Sequence, residues 1–521
     1  MTDIAISFAI LIAVVVLFIS NKVPVGLIAI GTSLALYFTG ILDINQALAG
    51  FGDPAVIFIA TLFVVSEGLD ASGVTTWAGQ ELIARVGESR TRLMVLMILL
   101  VAGLTALISV NGAVAALLPV IVVIAVRLGR SPSQLLMPLV FGAHAGSMLA
   151  LTGTPVNVIV NDFALEYGVP AFGFFEFALV GIPLVIGAVV IAVVAGERLL
   201  PTRTPKGIPS DFSRHAKTLV AQYRLDDDPG TLIDRTSGLA EVIVPPRSGL
   251  VGEVAFPGMI TDSGDLVVLA VQRKGEDMGP GETVLAVGDT LLLQGTWTAL
   301  DENLEGPDVL VVDAPEVVRR QAVPLGLRAK EAIVVLVGMV VLLATGIVPS
   351  AVAGLLAAGA MVLLRVVSTE GAYRSISWTT VVLVAGMIPL STAMTVTGAA
   401  DLIADTLVGA IGTAGPTALL AGLFLITAVL GQLISNMATA LIIIPIAGAA
   451  ALELGVSPQP VLMCVTVAAA ASFLTPVATP VNMMVMGPAG YRFGDYWKFG
   501  LVYMAMFFVV AVFLVPIFWA F

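Results

Sequence analysis

The sequence predicts an all-α polytopic membrane protein made of two inverted repeats, with a small α/β domain inserted between them. Three observations predict this fold. First, the 521-residue chain is 58% hydrophobic and 12% charged, with a mean hydropathy of +1.04, whereas soluble proteins carry about 25% charged residues. Second, apolar runs near the ~20-residue length that spans a bilayer recur along the chain. Third, the motif TPVN occurs at 154 and again at 479, 325 residues later.

The apolar runs give the expected membrane helices in order. They lie at 3–20, 23–41, 55–69, 93–108, 177–197, 331–348, 350–364, 379–397, 416–434 and 500–521. The first run lacks the basic start and cleavage site of a signal peptide, so it should remain as a helix. The chain is therefore expected to cross the cell inner (plasma) membrane several times, in contact with lipid. Its net charge of −12 argues against a nucleic-acid partner.

Charged side chains concentrate between two apolar parts of the chain. Residues 200–330 hold more than half of them, which predicts a water-exposed insert. The expected domains are a first membrane repeat at 1–200, an insert at 201–330 and a second membrane repeat at 331–521. The single Cys464 excludes an intrachain disulfide and any metal site built from cysteines.

Other landmarks repeat at the same offset as TPVN. Asn111 corresponds to Asn436, and the pairs Ser66 and Ser391, and Gly73 and Gly398, keep the register. The charges of equivalent loops then have opposite signs. Basic residues follow Gly73 and the Asn111 segment, and acidic residues follow their second-half counterparts; after the two TPVN motifs the signs exchange. The residues are Arg85, Arg90, Arg92, Arg127, Arg130, Asp162, Glu166 and Glu176 in the first half, and Asp401, Asp405, Glu453, Arg492 and Lys498 in the second.

Because short cytoplasmic loops collect Lys and Arg, this exchange predicts inverted repeats, an architecture of secondary transporters. Residues 93–126 enter and leave on the basic side, so they should form a re-entrant hairpin with Asn111 near its tip. Residues 416–451 should form the matching hairpin with Asn436 near its tip. Each TPVN breaks a helix. Irregular backbone at membrane depth must be buried in protein or line a wet cavity, so the tips and breaks are expected to meet at one site.

The predicted site carries no Lys or Arg. An anion could bind to helix N-termini, hydroxyls and amides, and a small cation could bind to carbonyl and amide oxygens. Proton coupling normally needs an ionisable residue in the membrane. The candidates are Glu67, Asp70 and His144, of which His144 is more typical of a hydrogen-bonded core histidine.

Four motifs resemble one transporter family. SVNGAVAALLPV and ISNMATALIIIP are similar to the hairpin tips of the divalent anion/Na⁺ symporters (the solute carrier 13 family), and GSMLALTGTPVN and LTPVATPVN to its broken helices. The resemblance implies a homodimer that takes up a small anion with Na⁺ by an elevator motion. Carried over by motif, Na⁺ would be held near Asn111, Gly153, Asn436, Ala478 and Pro480. The substrate would lie near Asn111, Gly112, Thr154, Asn436, Met437 and Thr479.

The hairpin tips depart from the Ser-Asn-Thr pattern of that family. They read Val110-Asn111-Gly112 and Ser435-Asn436-Met437. Both asparagines are kept, so Na⁺ is the expected coupling ion and the only expected metal, whereas the anion stays open. Sulfate is the first expectation, because members with a soluble insert are often sulfate or inorganic-anion permeases, and a dicarboxylate is the second.

The insert alternates like short strands. The segments AEVIVP, LVGEV, DLVVLAVQR and DTLLLQG, separated by Gly, Pro and Asp, predict a sheet. Residues 236–313 resemble the C-terminal domain of potassium-uptake regulators (TrkA-C or RCK-C). This resemblance implies dimerisation and binding of a nucleotide or cyclic dinucleotide, with Arg247, Arg273 and Lys274 as candidate phosphate contacts. The basic flanks place residues 201–330 in the cytoplasm.

Four alternatives stay open or are disfavoured. A proton-coupled anion transporter or exchanger is the main alternative. A ligand-gated channel is less favoured, because no carbonyl filter such as TVGYG is present. The sequence shows neither a nucleophile–base pair nor a phosphate-binding GxxxxGK[ST] loop, so an enzyme and an ATP-driven pump are not expected.

Overall fold

The computed structural model describes residues 2–20, 22–75, 77–79, 81, 89–127, 130–203, 237–304, 306–312, 328–411 and 415–521. The chain forms two compact units. Residues 1–69, 81–209 and 331–521 make up the first, and residues 70–80 and 210–330 make up the second. Arg85 and part of the basic flanks of the insert, namely Lys206, Arg319 and Arg320, lie outside the described residues.

Helices dominate the first unit. Those of its N-terminal half are α1 (Thr2–Ser20), α2 (Val25–Phe38), α3 (Ile44–Leu48), α4 (Pro54–Ala71), α5 (Arg90–Leu107), α6 (Val110–Arg127), α7 (Ser133–Gly146), α8 (Pro155–Glu166), α9 (Ala178–Val194) and α10 (Gly196–Leu199). Capping residues fix several of these starts. The Asp43 carboxylate accepts a hydrogen bond from the Gln46 N–H, and the Ser89 hydroxyl accepts one from the Arg92 N–H.

The C-terminal half of the first unit repeats this order. After α11 (Trp297–Asn303) of the second unit come α12 (Ala329–Thr345), α13 (Ser350–Leu363), α14 (Thr369–Ser375), α15 (Trp378–Thr397), α16 (Ala399–Ile411), α17 (Pro416–Leu430), α18 (Asn436–Glu453), α19 (Pro458–Ala470), α20 (Pro480–Ala489), α21 (Tyr496–Val509) and α22 (Val515–Phe518). A π-helical turn, Val510–Leu514, joins the last two.

Helix starts recur at the offset read from the sequence. The first residues of α2 and α13, of α3 and α14, of α7 and α19, and of α8 and α20 are each 325 positions apart. Gly73 and Gly398 also correspond, and both adopt the left-handed backbone, with φ of 76° and 77°. Only glycine takes this conformation readily. The duplication is therefore present in local backbone structure as well as in the motifs.

Six helical segments in the described chain are long and apolar enough to cross a membrane. They are Asp3–Ser20, Ile44–Ala71, Arg90–Leu107, Trp378–Thr397, Asn436–Glu453 and Phe493–Phe518. Shorter apolar helices occupy the predicted runs at 23–41, 177–197, 350–364 and 416–434. Phe141 of the first half packs on Phe473 of the second, with ring centroids 4.8 Å apart. The protein is a multi-pass membrane protein with a largely helical membrane part.

The second unit contains a five-stranded sheet. The strands are β1 (Ser237–Ile243), β2 (Val254–Ala255), β3 (Leu266–Arg273), β4 (Glu276–Asp277), β5 (Thr283–Val284), β6 (Thr290–Thr296) and β7 (Leu310–Val311). Their order is β4-β3-β6-β1-β7, and β2 pairs with β5 in a separate ribbon. The segment LVGEV is mostly a turn and only Val254 joins a strand, because Gly252 has a φ of 94°.

Candidate functional site

The two TPVN motifs mark places where a helix stops and a new one begins. Helix α7 ends at Gly146, a short 3₁₀ turn follows at Leu151–Gly153, and α8 starts at Pro155. In the second half, a 3₁₀ turn at Pro476–Ala478 precedes α20, which starts at Pro480. Thr154 and Thr479 occupy the N-cap positions, and proline is well suited to the first helical position because no N–H is needed there. The motif therefore restarts a helix.

Asn157 and Asn482, the last residues of the motifs, close the loops that precede them. The Asn157 Nδ2 donates to the carbonyl oxygens of Ser147 and Ala150, both at 2.9 Å. The Asn482 Nδ2 donates to the carbonyl oxygens of Ser472 and Thr475, at 2.8 and 3.0 Å.

Ser147 and Ser472 are 325 residues apart, and so are Ala150 and Thr475. The two loops are thus closed by the same pair of contacts.

The first of these loops is compact enough to require glycine at one position. A Cβ on Gly153 would lie 2.2 Å from the Ser147 carbonyl oxygen. The equivalent residue in the second half is Ala478, where a Cβ is present. The first loop therefore has the tighter backbone of the two.

The two predicted hairpin tips are short turns capped by serine. The Ser109 hydroxyl accepts a hydrogen bond from the Gly112 N–H at 3.1 Å at the start of α6, and the Ser435 hydroxyl accepts one from the Ala438 N–H at 3.2 Å at the start of α18. The cap of the first half lies one position early relative to the 325 offset. At the position equivalent to Ser435 the first half has Val110, which cannot cap the helix. Ser109 takes over this capping role, which comparison of the motifs did not reveal.

Both tips and both breaks border one cavity of about 350 Å³. Most predicted residues lie in its wall: Asn111, Gly153, Thr154, Asn436, Met437, Thr479 and Pro480. Gly112 and Ala478 are not among its lining residues in the described chain. A Cβ on Gly112 would lie 3.3 Å from the hydroxyls of Ser109 and Ser66, so this position faces packed atoms.

The cavity wall contains further polar residues besides the predicted binding residues. Ser377, Thr379 and Thr380 at the start of α15, together with Ser109, Ser147 and His144, also line it. The hydroxyls of Ser377 and Thr380 lie 2.9 Å apart. Comparing the two halves of the sequence could not identify these α15 residues, because the equivalent positions in the first half are Gly52, Pro54 and Ala55.

His144 reaches from the first half to the second break. Its Nε2 lies 3.4 Å from the Thr479 hydroxyl, and its ring packs edge-on against Phe473 at 5.7 Å. The residue is 3% exposed and lines the cavity. The equivalent second-half residue is Ala469. His144 is therefore the ionisable side chain of the described cavity wall, rather than a core residue remote from it.

The electrostatic character of the cavity comes from backbone and neutral polar groups. Its described wall contains no Asp, Glu, Lys or Arg. Six helices contribute residues from their first turn: α2, α6, α8, α15, α18 and α20. Free N–H groups and the helix dipole make such N-termini favourable for anions. No group of three or more His, Cys, Asp or Glu residues that could hold a metal occurs in the described chain, so a cation here would take neutral oxygen ligands.

The three candidate phosphate contacts of the second unit have different surroundings. The Arg273 guanidinium donates to both Asp289 carboxylate oxygens at 2.7 Å, and also to the Val284 carbonyl oxygen at 2.7 Å. Lys274 lies in the two-residue turn between β3 and β4 with a φ of 54°, and Arg247 is exposed. Arg273 is thus engaged within the fold.

A cavity of about 310 Å³ in the second unit is lined mainly by apolar residues, with neutral polar side chains and the acidic residues Glu253, Asp262 and Asp308. None of the three basic candidates lies among its described lining residues. Carboxylates in its wall do not favour a phosphate ligand.

Comparisons with known proteins agree with a transport role. The sequence profile of the citrate transporter family (CitMHS) matches residues 15–468 and 413–521. The chain is 31% identical to the uncharacterized transporter YfbS of Escherichia coli, over 97% of this chain and 98% of that protein. It is 26% identical to the uncharacterized transporter sll0640 of Synechocystis, over 96% and 94%. Sodium/sulfate cotransporter 1 of Chlamydomonas reinhardtii is 25% identical over 57% of this chain and 34% of its own length.

The expectation that the chain is not an enzyme is confirmed by these relatives, which are named as transporters. The resemblance to the anion symporters is confirmed at the level of the family. The match to a potassium-regulator domain is not among the similarities found and stays a prediction. By its profile match and its full-length relatives, the chain belongs to the citrate transporter family of multi-pass membrane transport proteins.

Proposed function

We propose that the protein is a secondary active transporter that carries a small divalent anion together with Na⁺. The observation that carries this proposal is the single cavity at which six helices begin and which hydroxyls, amides and one imidazole line without a fixed charge. Helix N-termini and hydroxyls favour an oxyanion. Cations bound nearby would balance the charge that the wall does not neutralise.

We propose two cation positions, one at each pair of tip and break. Asn111 and Gly153 lie together in the cavity wall in the first half, and Asn436 and Pro480 do so in the second. Amide and carbonyl oxygens are ligands suited to hard cations. The relative named as a sodium/sulfate cotransporter supports Na⁺ as the coupling ion at a distance. Ala478 would contribute through its backbone, since it does not line the cavity.

Sulfate remains the first substrate proposal and a dicarboxylate the second. The cavity offers hydroxyl donors on several sides, including Ser377, Thr379 and Thr380, and a tetrahedral anion can accept from several directions at once. Met437 contributes an apolar patch and Gly112 no side chain, so the tips supply fewer donors than a Ser-Asn-Thr pair would. The hydroxyls of α15 offset this loss.

The proposed mechanism is an elevator-type alternating access between inverted repeats. The exchanged signs of the flanking charges support opposite orientations of the two halves. With α5–α6 and α17–α18 as re-entrant hairpins, the site would lie near the middle of the bilayer. In this arrangement the insert is cytoplasmic, and the proposed assembly is a homodimer. The second unit would modulate transport, and the pairing of Arg273 leaves Arg247 and Lys274 as its free basic candidates for a regulator.

Proton coupling is the second candidate function, favoured by one observation. His144 lines the cavity and contacts Thr479, so an ionisable group is present where the substrate would bind. Histidine is the side chain best suited to change charge near neutral pH. A histidine in the site does not itself require proton transfer, because a neutral imidazole can serve as a hydrogen-bond donor or acceptor.

Uptake into proteoliposomes tests both candidates. Radiolabelled sulfate, succinate and citrate are offered with an inward Na⁺ gradient, with an inward proton gradient, or with neither. The expected result is sulfate accumulation driven by the Na⁺ gradient. Accumulation driven by protons alone would replace Na⁺ with H⁺ as the coupling ion. Flux that neither gradient accelerates would overturn secondary active symport.

A further inference from the structure

Two asparagines beneath the cavity use only half of their hydrogen-bonding capacity. Asn157 and Asn482 are completely buried. Each amide nitrogen makes two hydrogen bonds, but neither Oδ1 has a partner at hydrogen-bond distance among the described residues, although the His144 imidazole lies beside the Asn482 amide. An unpaired buried carbonyl costs stability, and most buried polar atoms in proteins are paired. The two hydrogen bonds of each amide nitrogen must therefore account for an asparagine at these positions.

The used half of each amide acts on backbone that borders the cavity. Asn157 binds the carbonyls of Ser147 and Ala150, and the loop it closes supplies Ser147, Gly153 and Thr154 to the cavity wall. The loop closed by Asn482 leads directly into Thr479 and Pro480, which also line the cavity. The same two contacts recur in both halves, which indicates a shared requirement rather than a local packing accident.

We propose that Asn157 and Asn482 are positioning residues that hold the two break loops in the shape needed to bind the coupling ion. Only a short amide carries two N–H donors on one nitrogen that can reach carbonyls ten and seven residues earlier in the chain. An aspartate of the same shape would bring oxygens towards those carbonyls and would open the loop. The residues act through the loops and do not touch the ion. The identity of the ion as Na⁺ rests on the proposed function.

The first test measures the loops in the absence of any ion. Hydrogen exchange of the purified full-length protein is compared between wild type, Asn157→Asp and Asn482→Asp. We expect faster exchange at 147–154 in the first variant only, and at 472–479 in the second only. Asn157→Ser and Asn482→Ser keep one donor and should give intermediate effects if the aspartate variants do not fold. Unchanged exchange in the loop next to each substitution would overturn the proposal, whatever the coupling ion is.

The second test measures ion binding without transport. Thermal unfolding is recorded over a Na⁺ titration at constant ionic strength. We expect each aspartate variant to need about tenfold more Na⁺ for half-maximal stabilisation, because two neutral hydrogen bonds that shape the loop are lost and part of that loss weakens ion binding. Asn161→Ala is the matched control: Asn161 lies on the same helix, and its Oδ1 accepts a hydrogen bond from the Phe172 N–H at 2.6 Å, away from the cavity wall.

The two tests separate this inference from the proposed function. A wild-type protein that Na⁺ does not stabilise would argue against Na⁺ coupling, and the exchange experiment would still decide whether the asparagines hold the loops. Loosened loops with an unchanged Na⁺ requirement would show that the asparagines are structural only and would overturn the positioning role.

Discussion

Arg203 and Asp495 join the two halves of the membrane unit through a bidentate ion pair. The Arg203 Nε lies 3.1 Å from one carboxylate oxygen, and its Nη2 lies 2.9 Å from the other. The Arg203 N–H also donates to the Ser133 hydroxyl at 2.9 Å, at the start of α7. Arg203, the last residue described before Ser237, is therefore bound both to the first broken helix and to the segment that follows the second.

Breaking this ion pair should destabilise the membrane unit. A double-mutant cycle with Arg203→Ala and Asp495→Ala should give a larger coupling energy than an exposed pair within one helix, because the pair is bidentate and only partly exposed. Thermal unfolding of the detergent-solubilised protein measures it. Arg374 and Glu370 form an exposed pair within one helix and provide the control cycle, with an expected coupling of about 0.3–0.5 kcal/mol. Equal coupling in the two cycles would contradict a structural role for Arg203.

The hairpin asparagines should determine the response to the coupling ion. Asn111→Ala and Asn436→Ala each remove an amide from the cavity wall, and we expect each to raise the Na⁺ concentration for half-maximal uptake about tenfold. Uptake at graded Na⁺ gradients measures this. Asn45→Ala, at an exposed site in α3, should leave the value unchanged. Wild-type Na⁺ dependence in both hairpin variants would refute the proposed cation positions.

The tight first loop should not tolerate a side chain at Gly153. A methyl group there would meet the Ser147 carbonyl oxygen at 2.2 Å, so Gly153→Ala should cost about 1–3 kcal/mol of stability through overpacking and should slow uptake. The reverse change at the equivalent position, Ala478→Gly, creates no clash and is expected to have a much smaller effect. Comparable losses in the two variants would show that the crowding at Gly153 is relieved by a shift of the loop.

Uptake by His144 variants should distinguish Na⁺ coupling from proton coupling. With Na⁺ as the driver, His144→Gln should keep a polar contact to Thr479 and should leave the pH dependence of uptake unchanged between about pH 5.5 and about pH 8. His144→Ala should raise the KM for the anion, because the Thr479 hydroxyl loses its partner. A pH profile that becomes flat in the glutamine variant would instead support proton coupling.

The second unit should lose stability in acid through Asp289. Hydrogen bonds from the Arg273 guanidinium hold the pKa of the Asp289 carboxylate below its usual value. A lowered pKa means that the ion pair stabilises the fold at pH values above about 4 and that this contribution is lost as the pH falls below that value. Asp289→Asn should lower stability at neutral pH by about 2 kcal/mol and should remove the acid-dependent part. Hydrogen exchange at 237–296, measured against pH, checks both; an unchanged profile in the variant would contradict this account.

The sequence predicted features that depend on local chemistry. The apolar runs coincide with helices because hydrophobic length alone identifies them, and TPVN restarts a helix because threonine and proline suit its first positions. The sequence did not reveal the role of Ser109, since its cap is displaced by one residue from the repeat. The strand expected at LVGEV is wrong because a glycine turn occupies most of it. His144 and the α15 hydroxyls reach the cavity through tertiary packing, which no local pattern encodes.

The two halves contribute different numbers of hydroxyl groups to the cavity wall, and this difference bears on how the halves diverged. TPVN, with its loop-closing asparagine, is identical in both copies. In contrast, Ser377, Thr379 and Thr380 correspond in sequence to Gly52, Pro54 and Ala55. If the cavity binds an anion as proposed, a symmetric ancestor would have held it with equal energy in two poses related by the pseudo-two-fold axis. Divergence at the start of α15 removes that equivalence, so the present chain would favour one pose while both halves keep the TPVN loops.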